Sequence, residues 1–232
     1  MMIVTIDGPA GAGKSSVAKR LADRLGYDFL DTGAMYRVVA LAGLRSGIDW
    51  DDADAVAQLV RSVDIRFEDP RILLNGEDVS GAIRANETTV AVRHVADHPD
   101  VRQHLVSLQR QFAVGRNLVT EGRDQGTLVF PGAACKFFLN ASAQERARRR
   151  VADLRVRGQE VPFEDILRQQ QRRDDEDRQR PLGGLIMAAD ALQIDTDGIS
   201  LDRVVQRLEQ IVRRRVEQLA GEPTADSTDN QS

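Results

Sequence analysis

A chain of 232 residues that is 41% hydrophobic and 29% charged is long and apolar enough to bury a core, which excludes a wholly disordered polymer. Its formal net charge of -4 argues against a generally basic, nucleic-acid-coating protein, but leaves room for a local anion site. No apolar run approaches the roughly 18 residues of a membrane span, the opening MMIVTIDGPAG carries no secretory signal, and the lone Cys135 in AACKFFL can build neither an internal disulfide nor a cysteine metal site; a cytoplasmic protein with no membrane or nucleic-acid partner is expected.

In chain order, Ile3-Val4-Thr5-Ile6 is a β-branched run stopped by Asp7-Gly8-Pro9, the pattern of a buried strand. From Ser15 the apolar residues Val17, Ala18, Leu21, Ala22 and Leu25 recur at helical spacing, and Gly26 stands where a C-terminal cap belongs. Phe29-Leu30 predicts a second strand, and Thr32-Gly33 leads into a helix carrying Met35, Val38, Val39 and Leu41. Between about 64 and 84 the texture changes to short runs broken at Asp69-Pro70 and Asn75-Gly76, which predicts a small β-hairpin insert. Residues 86–112 are polar and helical, with Pro99 interrupting them. Leu118-Val119-Thr120 and Lys136-Phe137-Phe138-Leu139 predict further core strands, residues 142–180 form a stretch dense in arginine and carboxylate, and 191–194 predicts a last strand before an amphipathic helix with Leu201, Val204, Val205, Leu208, Ile211 and Val212 on one face. Strand and helix alternate, so the expected fold is α/β, with helices covering a parallel sheet; the polar tail GEPTADSTDNQS is expected to be disordered.

Gly8-Pro9-Ala10-Gly11-Ala12-Gly13-Lys14-Ser15 matches G-x-x-x-x-G-K-[ST] in full, after a predicted strand and before a predicted helix. Glycines let the backbone curl so that consecutive N–H groups cradle an anion, and the helix adds the positive end of its dipole. Lys14 is then expected on the β and γ phosphates of a nucleoside triphosphate, the Ser15 hydroxyl on Mg²⁺, and Ser16 on the α-phosphate. A P-loop names no acceptor, since ATPases, GTPases and small-molecule kinases share it; the chain has no N-K-x-D for reading guanine.

Three further segments carry candidates. Thr32, Tyr36 and Arg37 lie where the second strand meets its helix, at the sheet edge that faces ligands. Arg37 is there either to grip an acceptor phosphate or as part of a solvated helix face. Arg123 and Asp124 follow the apolar run Leu118–Thr120 at the same edge. In Arg172–Arg180 the residues Arg173, Asp177 and Arg180 share one helix face; such a run is ordinarily a solvated, charge-laced surface, but beside a triphosphate it offers arginines to a transferring phosphoryl group. Nearly all the positive charge is arginine, the only lysines being Lys14, Lys19 and Lys136. His94, His98 and His104 form no H-E-x-x-H, and Pro99 breaks their helical register, so surface histidines are expected rather than a zinc site.

The segments IDGPAGAGKSS, FLDTGAMYR, NGEDVSGAIR, EGRDQGTLVFP and RRDDEDRQR, in this order, resemble the bacterial-type cytidylate kinases over about residues 2–215. The resemblance implies transfer of the γ-phosphoryl group of ATP, with Mg²⁺, to CMP or dCMP, by a P-loop nucleoside monophosphate kinase; a monomer is expected. It implies a three-layer P-loop core (1–60, 105–150 and 181–220), a nucleoside-monophosphate-binding insert (61–104), a helical lid (151–180) and a tail (221–232). Carried over by position, it assigns the ATP phosphates to Gly8 through Ser16. The CMP phosphate goes to Arg37, Arg123 and Arg180 with Thr32 and Tyr36 alongside, the ribose to Arg173 and Asp177, and the cytosine edge to Arg102 and Asp124. Lys14, Arg123, Arg173 and Arg180 would surround the group in transfer. Similar proteins usually place serine where Arg93 stands, and Gln125 and the run PLGGLIMAADA after Arg180 also depart from the usual pattern. On the residues alone, two other readings stay open: a kinase for another acceptor such as UMP, AMP or a small alcohol like shikimate, and a nucleotide-dependent switch read by a partner protein.

Overall fold

The computed structural model describes residues 1–68, 70–156 and 158–221. Five strands, β1 (Ile3–Asp7), β2 (Asp28–Asp31), β6 (Leu118–Gly122), β7 (Cys135–Asn140) and β8 (Leu192–Asp195), form one sheet in the order β2-β6-β1-β7-β8, with every pair parallel. Parallel strands need crossovers, and helices supply them on both faces. Against one face pack α1 (Lys14–Leu25) and α8 (Leu201–Gly221), through Val17, Leu21, Val204, Val205 and Leu208 onto Val4, Ile6, Val119, Phe137 and Leu139. The other face carries α2 (Thr32–Ser46), α4 (Asn86–Ala96) and α5 (Pro99–Ala113), whose Met35, Val38, Val95, Val101 and Leu105 meet Leu30 and Leu118. Leu118 and Val119 thus point to opposite layers, as the two-residue period of a strand requires. The expected α/β layering with a parallel sheet is present.

Between α2 and α4 lie α3 (Ala53–Ser62), capped by the Asp52 side chain, and a separate antiparallel sheet of β3 (Ile65–Glu68), β4 (Arg71–Leu74) and β5 (Glu77–Asp78). This corrects the expected hairpin to three strands: Asn75, at φ 51°, and Gly76, at φ 85°, turn the chain back once more after β4. The interrupted helical stretch is two helices, because Pro99 occupies the first turn of α5, where its missing N–H costs nothing. The charged region 142–180 folds as α6 (Ala143–Val156) and α7 (Phe163–Gln179), joined by their own small core of Ala147, Leu154 and Ile166. A π-helical turn spans Gln125–Val129. Cys135 is a buried free thiol. The predicted disordered tail lies outside the described residues except for Gly221, which ends α8. Among the described residues no helix is long and apolar enough to cross a membrane.

Candidate active site

Parallel pairing brings the carboxyl ends of β1, β2 and β6 to one edge of the sheet. Register sets Asp31 opposite Glu121 and Asp7 opposite Gly122, and the P-loop leaves β1 at the same edge. Gly8, at φ 146°, has no room for a side chain, since a Cβ there would lie 2.0 Å from the Leu139 carbonyl oxygen. Gly13, at φ 91°, precedes α1 without any side-chain cap, so the helix N-terminus keeps its free donors for an anion. The loop's carbonyls are already satisfied by cations: Lys14 Nζ donates to Pro9 O at 3.0 Å, and Arg146 to Ala10 O at 3.0 Å.

Lys14 is buried, and burial first, then the nearby Arg123 charge, lower its pKa to about 7; Glu121 opposes them and Arg173 adds to them. A buried lysine beside two arginines is a group waiting for anionic company. Ser15 Oγ donates to Glu121 Oε1 at 2.7 Å. Asp7 accepts backbone N–H bonds from Gln125 at 2.9 Å and Gly126 at 2.7 Å, and burial nevertheless raises its pKa to about 6. Asp31 caps α2 through Ala34 N at 2.9 Å, and burial and then Glu121 raise it to about 6.

On the other side of the cleft the acceptor candidates come together. Arg123 Nε donates to Asp177 Oδ2 at 2.7 Å, and Arg180 reaches the other oxygen of the same carboxylate at 3.0 Å. Burial pushes Asp177 up, but Arg123, Arg180 and Arg173 outweigh it and hold the carboxyl below its ordinary range. Arg180 Nε also donates to Asp97 Oδ1 at 2.5 Å, so one chain of alternating charge joins the end of α4, α7 and the turn after β6. Arg173 is exposed on α7; partial desolvation in the cleft first, and then the Arg123 charge, lower its pKa. Arg37, in the first turns of α2, lies beside Gly33 and adds its charge to the fields at Asp31 and Arg173. Thr32 Oγ1 donates to the Glu121 carbonyl at 2.7 Å, which pins the start of α2 to β6.

Deeper in, Arg102 and Asp124 form a buried ion pair, and Arg102 also donates to the carbonyls of Ala96 at 3.0 Å and Gly183 at 3.3 Å. Its Nε is buried without a hydrogen-bond partner. Burial raises the Asp124 pKa despite Arg102, and it raises that of Tyr36, whose ring lies 5.6 Å from the Arg102 guanidinium, to about 12. Gly183 permits this approach, since a Cβ there would come within 1.9 Å of Arg102 and 2.2 Å of Asp124. Arg93 is exposed on α4, with Nε 3.4 Å from His94 Nε2. Ser16 is exposed on α1.

Several groups here escaped the sequence reading. Glu121, Asp7 and Asp31 are strand-end carboxylates whose signal is their place after apolar runs; Glu121 stands inside a segment from which only Arg123 and Asp124 were selected. Arg146 and Asp174 form a buried bidentate pair at 3.1 and 2.6 Å that binds α6 to α7 and both to the P-loop; only pairing in space reveals it. His94, His98 and His104 take part in no metal-binding cluster of three His, Cys, Asp or Glu among the described residues.

The profile of the family described as Cytidylate kinase matches residues 4–214. A cytidylate kinase of Rhodopirellula baltica is 49% identical over 216 residues, covering 93% of this chain and 94% of that one. One from Vibrio parahaemolyticus is 44% identical over 218 residues, covering 92% and 96%, and one from Geobacter sp. strain M21 is 45% identical over 221 residues, covering 94% and 95%. Among solved structures, a gluconokinase from Sinorhizobium meliloti 1021 matches with a TM-score of 0.50 at 17% identity, covering 96% of this chain and 97% of that one, and an uncharacterized protein from Eubacterium ventriosum matches at 0.51 and 13%, covering 92% and 99%. These two likenesses extend to the fold alone. With a P-loop and an arginine-lined cleft at one sheet edge, and with matches at this identity over nearly its whole length, the chain belongs to the cytidylate kinase family.

Proposed function

We propose that this protein transfers the γ-phosphoryl group of ATP to CMP or dCMP, giving ADP and the nucleoside diphosphate. The observation that carries the reading is geometric: Arg123 and Arg180 grip the two oxygens of the Asp177 carboxylate at 2.7 and 3.0 Å, and the charges of Arg123 and Arg173 reach buried Lys14, so a second cationic site faces the first. Two mutually repelling cation groups across a cleft are what two phosphates must bridge. An acceptor phosphate is largely ionised near neutral pH and needs no general base, so catalysis rests on positioning and charge neutralisation.

In this reading Gly8, Pro9, Ala10, Gly11, Ala12 and Gly13, with Lys14, Ser15 and Ser16, wrap the ATP phosphates. Arg37, Arg123 and Arg180 hold the acceptor phosphate beside Thr32 and Tyr36, while Arg173 and Asp177 hold the ribose. Lys14, Arg123, Arg173 and Arg180 surround the group in transfer. The Asp177 carboxylate spans Arg123 and Arg180 and so holds the two guanidiniums side by side. Residues 61–104 form the acceptor-binding insert and 151–180 the lid that excludes water.

Ser15 Oγ and Glu121, hard oxygen donors 2.7 Å apart, suit Mg²⁺. They would hold the ion, which when bound screens the β and γ oxygens of ATP. Cytosine presents ring acceptors next to an exocyclic amine; the unpartnered Arg102 Nε supports donation to the former and Asp124 acceptance from the latter. Uracil puts a donor at that ring nitrogen and an acceptor in place of the amine, and is disfavoured. All the charged groups invoked lie on one chain, so a monomer suffices, and the substrates are those of the cytoplasm.

Arg123→Met tests the acceptor side. The expected result is a rise in KM for CMP of about tenfold or more, with KM for ATP within about twofold, as the loss of one charged hydrogen-bond donor implies. An unchanged KM for CMP would remove Arg123 from the acceptor site.

A further inference from the structure

Beneath the turn that carries Arg123 and Asp124, two uncharged polar side chains are almost fully buried: Gln109 and Gln125, each 1% exposed. Gln125 Nε2 donates to Gln109 Oε1 at 3.0 Å, and Gln125 Oε1 accepts from Thr120 Oγ1 at 2.9 Å. The Gln125 backbone N–H is held by Asp7 Oδ1 at 2.9 Å, so the residue is fixed at both ends. Its side chain fills the space under Gly122, where a Cβ would lie 2.9 Å from Gln125 Cγ and 3.0 Å from Nε2. Gln109 follows Arg102 by two turns of α5 and so lies on the same face of that helix. Helix α5 is therefore tied to the turn after β6 by two adjacent rungs, Arg102–Asp124 and Gln109–Gln125.

An apolar pair would fill this space without desolvating two amides and would tolerate sliding. An amide pair does not, because a small displacement breaks bonds in a low-dielectric interior that no water can replace. We propose that Gln109 and Gln125 are positioning residues that fix the register of α5 against this turn, and thereby hold Arg102 and Asp124 in the geometry that selects cytosine over uracil. The inference rests on the cytidylate reading of the Arg102–Asp124 pair. It gives the buried Gln125 a specific use.

The test compares Gln125→Met, Gln109→Met and the double variant, assayed with CMP and UMP and by thermal unfolding. Each single variant strands a buried amide and lowers Tm, whereas the double removes both amides and recovers most of the loss. In the recovered double variant KM for CMP is expected to rise about fivefold and the CMP/UMP ratio of kcat/KM to fall about tenfold, with KM for ATP and kcat at saturating CMP within about twofold of wild type. Restored Tm together with wild-type selectivity would overturn the inference and leave the pair as core filling. Should the double variant not fold, Thr120→Val, which removes the bond to Gln125 Oε1 together with the longer one to the Leu30 carbonyl at 3.4 Å, is to give the same drop in selectivity to a smaller degree; an unchanged ratio would overturn the inference. A wild-type protein that does not prefer CMP to UMP would instead sink the underlying reading, and the two failures are told apart by the wild-type assay alone.

Discussion

Lys14 is tuned by what surrounds it, and its consequences divide into chemistry and linkage. In the proposed reading Lys14→Ala removes the P-loop cation from the path of the phosphoryl group, and it is expected to lower kcat by about 10²-fold or more while circular dichroism stays that of a folded protein; near-normal turnover would contradict the proposed role. The pKa of about 7 in the folded chain lies below the value near 10.4 of an unfolded lysine. Between those values the unfolded chain holds a proton that the folded one lacks, so Lys14 adds stability as pH rises from about 7 towards 10, and its cation opposes folding in full below about 7. An arriving triphosphate reverses the shift, because its charge favours the ammonium form. Nucleotide binding at pH 8 should therefore take up close to one proton, read as a dependence of the calorimetric binding enthalpy on the ionisation enthalpy of the buffer. Enthalpies equal across buffers would contradict a depressed lysine.

At the scale of elements, the P-loop depends on helices far from it in sequence. Arg146 on α6 binds Ala10 O of the loop and Asp174 of α7 at once, and its pair with Asp174 is buried. Asp174→Ala leaves that guanidinium without its counter-charge and should cost about 3 kcal/mol in urea unfolding; a loss below about 1 kcal/mol would mean that water reaches Arg146. Sequence made the elements legible wherever one period dominated. β1, β6 and β7 are short apolar runs with turn residues after them, and α1 and α8 show one apolar face. It failed at short elements. α3 is short and was passed over although its Asp52 cap and its buried Val56, Ala57 and Val60 carry a helical signal, and β5, two residues long with both exposed, has no hydrophobic pattern to recognise.

For the whole molecule, the cleft closes on charges drawn from distant segments. Asp97 at the end of α4 and Arg180 at the end of α7 are 83 residues apart yet paired, which ties the end of α4 to the end of α7. Asp97→Ala should release this tie and raise KM for CMP about threefold with little change in kcat, the signature of lost positioning rather than lost chemistry; an unchanged KM would make the pair incidental. Of the proposed site, the P-loop was legible from its own local pattern, and Arg37, Arg123 and Arg180 were candidates from their places at strand ends and on one helix face. Glu121, Asp97, Arg146 and Asp174 were not, since each takes its meaning from a partner dozens of residues away. The measurement that bears most directly on the account is ADP production from ATP and Mg²⁺ with CMP, dCMP, UMP, AMP, GMP or no acceptor in parallel. The account predicts rapid turnover with CMP and dCMP and little with the others; equal use of UMP would contradict the reading of Arg102 and Asp124, and slow hydrolysis indifferent to any acceptor would contradict the second phosphate site itself.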